Sequence, residues 1–223
     1  MIERYSWHSY AQGSLYGKQR PLRKKILEIL ISRIPSYPQP RVELEQYVTP
    51  PHLASRILWI AAFYHDLEGT IIDLGAGTGR LGLGAAILGA PHVILVDIDA
   101  KALRVALAAA RSLGVEAYVD TVCVEASKFE ASRNARCVIQ NPPFGVHKKG
   151  VDIEFLRNAL RLAPTVFSIH KVESLDYVLA KCKEMGYSPE ILFEEVIRLP
   201  PTMSHHRKKS HKVRVAAIRV SKG

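Results

Sequence analysis

Apolar positions recur along this chain with two periods. Residues 22–34 place apolar side chains at 22, 26, 27, 29, 30 and 34, the spacing of one helix face. Pro35, Pro38 and Pro40 end that pattern and make a stiff connector. A second helix is expected over 50–64, with Thr49 as its cap and Pro50 in its first turn. From residue 70 onward, short apolar runs alternate with longer helical patterns. The runs 70–74, 92–97, 117–124, 137–140 and 165–169 read as buried strands, and 80–88, 101–113, 153–162 and 173–185 as helices. Residues 190–199 and 213–220 read as the last two strands. This alternation predicts an α/β fold built on a doubly wound, mostly parallel, seven-stranded Rossmann-like sheet. Residues 1–41 are read as a basic arm and helix, and 42–223 as the main domain.

One strand ends unusually. Cys137-Val138-Ile139-Gln140 runs into Asn141-Pro142-Pro143-Phe144. Neither proline can donate to a ladder, and the residue before a proline is pushed out of the helical region, so the backbone leaves the sheet at Asn141. In open α/β sheets the carboxyl ends of strands face ligands. Asn141 Oδ1 and the Pro142 carbonyl are two acceptors, and Phe144 is a flat apolar face. Together they suit a planar group bearing an exocyclic amine.

A second turn carries the other half of the chemistry. Gly75-Ala76-Gly77-Thr78-Gly79 follows a short strand and opens a helix. Gly77-x-Gly79-x-x-Gly82 also meets the dinucleotide pattern, so glycine spacing leaves both a nicotinamide cofactor and S-adenosylmethionine open. The acids narrow the choice. Asp73 precedes the glycines and suits an ammonium or a water network. Asp97 closes the next strand, where a carboxylate can accept from both ribose hydroxyls, and Glu125 closes the third. Acids at these ends suit a cationic, ribose-bearing cofactor, and a chain of 223 residues leaves no room for a large second domain.

Charge is uneven. Residues 1–41 hold eight Lys/Arg against two Asp/Glu, and 200–223 hold seven with no acid, while 42–199 hold 16 basic and 19 acidic residues. Basic flanks on a near-neutral middle point to a polyanion such as nucleic acid. Lys148, Lys149 and Lys171 extend the expected basic surface. The run of His205, His206, Arg207, Lys208, Lys209, His211 and Lys212 has no neighbouring acid or cysteine, so it reads as a phosphate-binding loop and not a metal site. No apolar run approaches the roughly 20 residues of a membrane span. The three cysteines are scattered and fit no disulfide framework, which makes a reducing cytoplasm the expected setting.

These residues resemble a known family. Glu45-Gln46-Tyr47-x-Thr49, Asp73-Leu74-Gly75-Ala76-Gly77, Asp97-Ile98-Asp99, Asn141-Pro142-Pro143-Phe144-Gly145, Lys149-Gly150-x-Asp152, His170-Lys171 and His206-Arg207-Lys208-Lys209-Ser210 look like the small-subunit ribosomal RNA adenine-N6 methyltransferases of eukaryotes and their archaeal relatives. The likeness runs from about residue 23 to 219. It implies a class I fold with S-adenosylmethionine as methyl donor. Asn141, Pro142, Pro143 and Phe144 would then be the catalytic set. Gln46, Tyr47, Thr49, Asp73, Gly75, Gly77, Gly79, Asp97, Glu125 and Asn141 would form the cofactor pocket. Lys148, Lys149, Lys171, His206, Arg207, Lys208, Lys209 and Lys212 would meet RNA. It further implies a small zinc-containing activator protein pairing with an edge strand at 117–124. Guanine-N2 RNA methylation and protein glutamine-N5 methylation use similar tetrapeptides and stay as alternatives. A non-catalytic RNA-binding module is the remaining one.

Overall fold

A computed structural model describes residues 22–131, 135–145, 150–199 and 211–222. Seven strands form one sheet: β1 (Thr70–Leu74), β2 (His92–Asp97), β3 (Val119–Cys123), β4 (Cys137–Gln140), β5 (Thr165–Lys171), β6 (Tyr187–Leu199) and β7 (His211–Lys222). Their order is β3-β2-β1-β4-β5-β7-β6. The first five are parallel. β7 runs antiparallel between β5 and β6. The strand order reverses between β1 and β4, and such a switch point opens a crevice at the carboxyl edge.

The alternation within each strand explains the layers. Ile71, Val93, Leu95, Cys137 and Ile139 face one side, where α1 (Lys24–Ser32), α2 (Pro51–Phe63), α3 (Arg80–Ile87) and α4 (Ala100–Leu113) cover them. Ile72, Leu74, Val96 and Val138 face the other, under α5 (Val151–Leu162) and α6 (Leu175–Glu184). Both faces are therefore dry, as a parallel sheet requires. The helix assigned to the basic arm joins this core, since Leu27, Ile31 and Ile34 are buried against α2 and α3.

Several boundaries differ from the sequence reading. β3 starts at Val119 because residues 116–118 form a 3-10 turn, and another such turn at 172–174 precedes α6. β6 begins at Tyr187, ahead of Pro189. A proline is tolerated there because β6 is an edge strand and needs no donor on its free side. The cap on α2 is also different. The helix starts at Pro51 with Pro50 as N-cap, and no side chain caps it. Thr49 sits one residue too early to cap, and its hydroxyl is engaged elsewhere.

Candidate active site

Three strand ends meet at the switch point. After β1, the Gly75 and Ala76 amides both donate to the Val96 carbonyl, at 2.8 and 2.9 Å, which folds the glycine turn onto β2. The Gly77 amide donates to Asp97 Oδ2 at 2.7 Å. Asp97 Oδ1 accepts from the Asp99 amide at 2.8 Å. Asp99 Oδ1 in turn caps α4 by accepting from Lys101 N at 2.8 Å, while its Oδ2 accepts from Gln46 Nε2, also at 2.8 Å. Asp73 Oδ2 accepts from the Gly82 amide at 2.6 Å, which locks the first turn of α3 to β1. Glycine is required at 82: a Cβ there would collide with the Leu95 side chain and stand 3.0 Å from Asp73 Cβ.

The connector 35–50 is a strap laid over this turn. Arg80 holds both of its ends, donating to the Ile34 carbonyl at 3.2 Å and to the Thr49 carbonyl at 3.0 Å. The strap then grips the end of β4. Asn141 Nδ2 donates to Thr49 Oγ1 at 3.0 Å, and the Tyr47 hydroxyl donates to Asn141 Oδ1 at 3.2 Å. These two bonds define which way the amide points. Tyr47 and Phe144 rings lie 5.0 Å apart with a 38° tilt, and Lys171 Nζ stands 5.3 Å from the Phe144 centroid.

Behind Asn141 lies a buried polar chain. Gln140 Nε2 donates to Ser168 Oγ at 3.0 Å, and that hydroxyl is 2.7 Å from His170 Nε2. His170 Nδ1 is 3.7 Å from Asp152 Oδ2, too long for a hydrogen bond. All three of Gln140, Ser168 and His170 are buried. The chain fixes the residue immediately before Asn141 to β5.

Between the strap and the strand ends lies a cleft of about 240 Å³. Gln46, Tyr47, Thr49, Asp73, Gly75, Asp97, Glu125, Asn141 and Pro143 all line it, so most of the residues read from sequence as catalytic or cofactor-binding converge on one cavity. Gly77 and Gly79 shape the turn without facing the cavity. Pro142 is buried beneath, and Phe144 lies partly buried beside Tyr47. Lys212 is exposed on β7, opposite Arg198. Lys148, Lys149, His206, Arg207, Lys208 and Lys209 lie outside the described residues.

The lining residues that the sequence reading does not name as site residues include Tyr37, Thr78, Arg80 and Ile98. Tyr37 was hidden in a proline-rich connector. Thr78 fills a variable position between the motif glycines, and Arg80 follows them with no motif of its own. Asp99, whose bond to Gln46 ties the strap to α4, is detectable in retrospect as an Asp before an alanine-rich helix.

Burial dominates the electrostatics. Asp73 is pushed up to about 7 by burial, opposed by its bond from Gly82 and helped by the charge of Asp97. Asp97 is also raised by burial, against the amides of Asp99 and Gly77. Burial acts to raise Asp99 too, but the bonds from Gln46, Lys101 and Ala102 outweigh it and hold it low. Burial and nearby carboxylates keep Tyr37 and Tyr47 protonated. Thr78 Oγ1 and Arg80 Nε are buried in this wall with no hydrogen-bond partner among the described residues. Acids that gain from a nearby cation, with spare polar groups around the glycine turn, fit a cationic nucleoside such as S-adenosylmethionine. Among the described residues no group of three His, Cys, Asp or Glu could hold a metal ion, and no helix is long and apolar enough to cross a membrane.

Comparison with known proteins gives the same picture. Residues 52–173 match the Methyltransferase small domain family. An uncharacterised protein of Methanocaldococcus jannaschii is 35% identical over 213 residues, covering 90% of this chain and 95% of that protein. The Danio rerio rRNA N(6)-adenosine-methyltransferase METTL5 is 32% identical over 205 residues, covering 89% of this chain and 98% of that one. A crystal structure of a Pyrococcus horikoshii protein, 35% identical, superposes with a TM-score of 0.83 over 90% of this chain and 98% of its own. The chain thus belongs to the METTL5 family of rRNA N(6)-adenosine methyltransferases, within the class I methyltransferase fold.

Proposed function

We propose that this chain methylates the exocyclic N6 of an adenine in RNA, most directly small-subunit ribosomal RNA, using S-adenosylmethionine. One observation carries the reading: Asn141, at the end of β4 and the rim of the acidic cleft, has its amide oriented by two strap hydroxyls. The cleft residues Gln46, Asp73, Gly75, Asp97 and Glu125 hold the methyl donor, which when bound supplies an electrophilic methyl group. Asn141 Oδ1 accepts from Tyr47 and keeps a second lone pair for one amine hydrogen of the substrate. The Pro142 carbonyl takes the other hydrogen. Holding both hydrogens turns the nitrogen lone pair out of the ring plane, which the free base resists. Phe144 offers its face to the base, with the Tyr47 ring tilted against it at 5.0 Å. Positioning and fixed dipoles perform this work, and the groups bonded to Asn141 are hydroxyls with no strong base among them. A base can enter such a pocket only when unstacked, so an unpaired or flippable adenosine is expected.

Relatives named rRNA N(6)-adenosine-methyltransferases from Danio rerio, Drosophila melanogaster and Caenorhabditis elegans support an RNA acceptor. So do the basic flanks and the position of Lys171 beside Phe144. This favours RNA over a protein glutamine. The basic residues 206–209, with Lys148, Lys149, Lys171 and Lys212, serve as the phosphate-binding surface. β3 lies at the sheet edge with Ile98 half-exposed beside it, and this supports its pairing with a small activator protein. Unpaired Cys123, Cys137 and Cys182 accord with a cytoplasmic setting. The test is mass spectrometry of nucleosides from small-subunit rRNA incubated with the chain and isotopically labelled donor. Labelled N6-methyladenosine is the expected product. Labelled N2-methylguanosine, or label in protein alone, would overturn the assignment.

A further inference from the structure

The strap brings one further polar group into the cleft, the Tyr37 hydroxyl. Tyr37 lines the cavity, and its ring tip lies over Gly77: a Cβ built on that glycine would collide with the tyrosine hydroxyl and stand 2.8 Å from Cζ. Gly77 has φ +56°, so both its backbone and its bare face reserve this place for the phenol. The hydroxyl has no hydrogen-bond partner among the described residues. Burial and, in order, Asp97, Asp73 and Asp99 keep it protonated, so it remains both donor and acceptor. The strap cannot simply carry it away, because Arg80 fastens the strap at Ile34 and Thr49 and Asp99 fastens it at Gln46.

The place in the sheet says which part of the donor this hydroxyl meets. Tyr37 covers the turn that follows β1. The adenine end should lie toward β3, where Glu125 lines the cleft on the far side of β2. What remains over the glycine turn, beside Asp73, is the amino-acid end. Resting on the reading of the cleft as the S-adenosylmethionine site, we infer that Tyr37 recognises the zwitterionic amino-acid end of the donor. Its oxygen accepts from the ammonium, which Asp73 also attracts, and its proton is donated to the carboxylate. The same strap bears Tyr47 and Thr49, the two residues that orient Asn141, so the contact latches the substrate side when the donor side is filled.

Two ligands separate this role from a merely structural one. S-adenosylhomocysteine keeps the amino-acid end, and 5′-methylthioadenosine lacks it while keeping the nucleoside. Calorimetric titration of each into the unmodified chain and into Tyr37→Phe, with thermal melts to confirm folding, reads the difference. The substitution should weaken S-adenosylhomocysteine about tenfold or more, the loss of a hydrogen bond to a charged group, and change 5′-methylthioadenosine by less than about twofold. Equal weakening of both ligands would place the hydroxyl on the nucleoside or in the strap itself and overturn the inference. No change in either would overturn it too. If the unmodified chain binds neither compound, the reading of the cleft fails, and this inference with it.

Discussion

Thr49→Val probes the amide directly. Valine has nearly the shape of threonine, so the backbone and the packing are kept, including the Thr49 carbonyl that accepts from Arg80. Only Oγ1 is lost, and with it the acceptor 3.0 Å from Asn141 Nδ2. Thr49 is 6% exposed, so water has little access to replace it. An amide donor left without a partner in such a place costs about 1–3 kcal/mol, or the amide turns to recover a bond and misdirects Oδ1. Either way the loss falls on the reacting geometry, and the turnover rate should drop roughly 5- to 150-fold. Single-turnover methylation of a ribosomal RNA fragment measures the rate, and calorimetric titration of S-adenosylhomocysteine measures the cleft. The expected result is slow transfer with ligand affinity within about twofold of the parent. A variant that turns over at the parent rate would show that the Thr49–Asn141 bond does not position the amide.

Asp73→Asn keeps an acceptor for the Gly82 amide but removes the titration. Because burial raises Asp73 to about 7 in the fold, its stabilising contribution is full below about pH 4 and is lost as pH rises through about 7. Urea midpoints should therefore fall more for the parent than for the variant between pH 4.5 and 7.5, and parallel midpoints would contradict the shift. Gly82→Ala gains about 1 kcal/mol of helix propensity but forces a methyl against Leu95 and Asp73, so a net loss of about 1–3 kcal/mol and a lower Tm are expected. A raised Tm would mean that α3 can move off β1 at no cost. Exchanging Arg207, Lys208 and Lys209 together for glutamine should flatten the log–log salt dependence of RNA binding by about two units and leave donor affinity intact, as filter binding over a salt series can show.

How much of this was legible in the chain depends on how local each signal is. The inner parallel strands β1, β2, β4 and β5 were readable because they are short apolar runs with both faces largely buried. Asn141 was readable because two prolines can only leave a strand. Asp97 was placed by closing an apolar run, and Asp73 by standing just before the glycine turn. What stayed hidden depends on distant chain segments meeting. Tyr37 and Arg80 are 43 positions apart in sequence and share a wall only because the strap folds back over α3. The place of Thr49 before Pro50 suggests a cap, yet the fold assigns its hydroxyl to Asn141, 92 residues away. The Gln140–Ser168–His170 chain joins two strands that are neighbours only in the sheet.

The central claim is that a side-chain amide and the next carbonyl hold the adenine amine beside the donor cleft. A crystal structure of the chain with S-adenosylhomocysteine and an adenosine-containing oligonucleotide measures this directly. The account predicts N6 within about 3 Å of both Asn141 Oδ1 and the Pro142 oxygen, with the base against Phe144. An adenine bound elsewhere, or Asn141 turned away from it with both strap bonds intact, would contradict it.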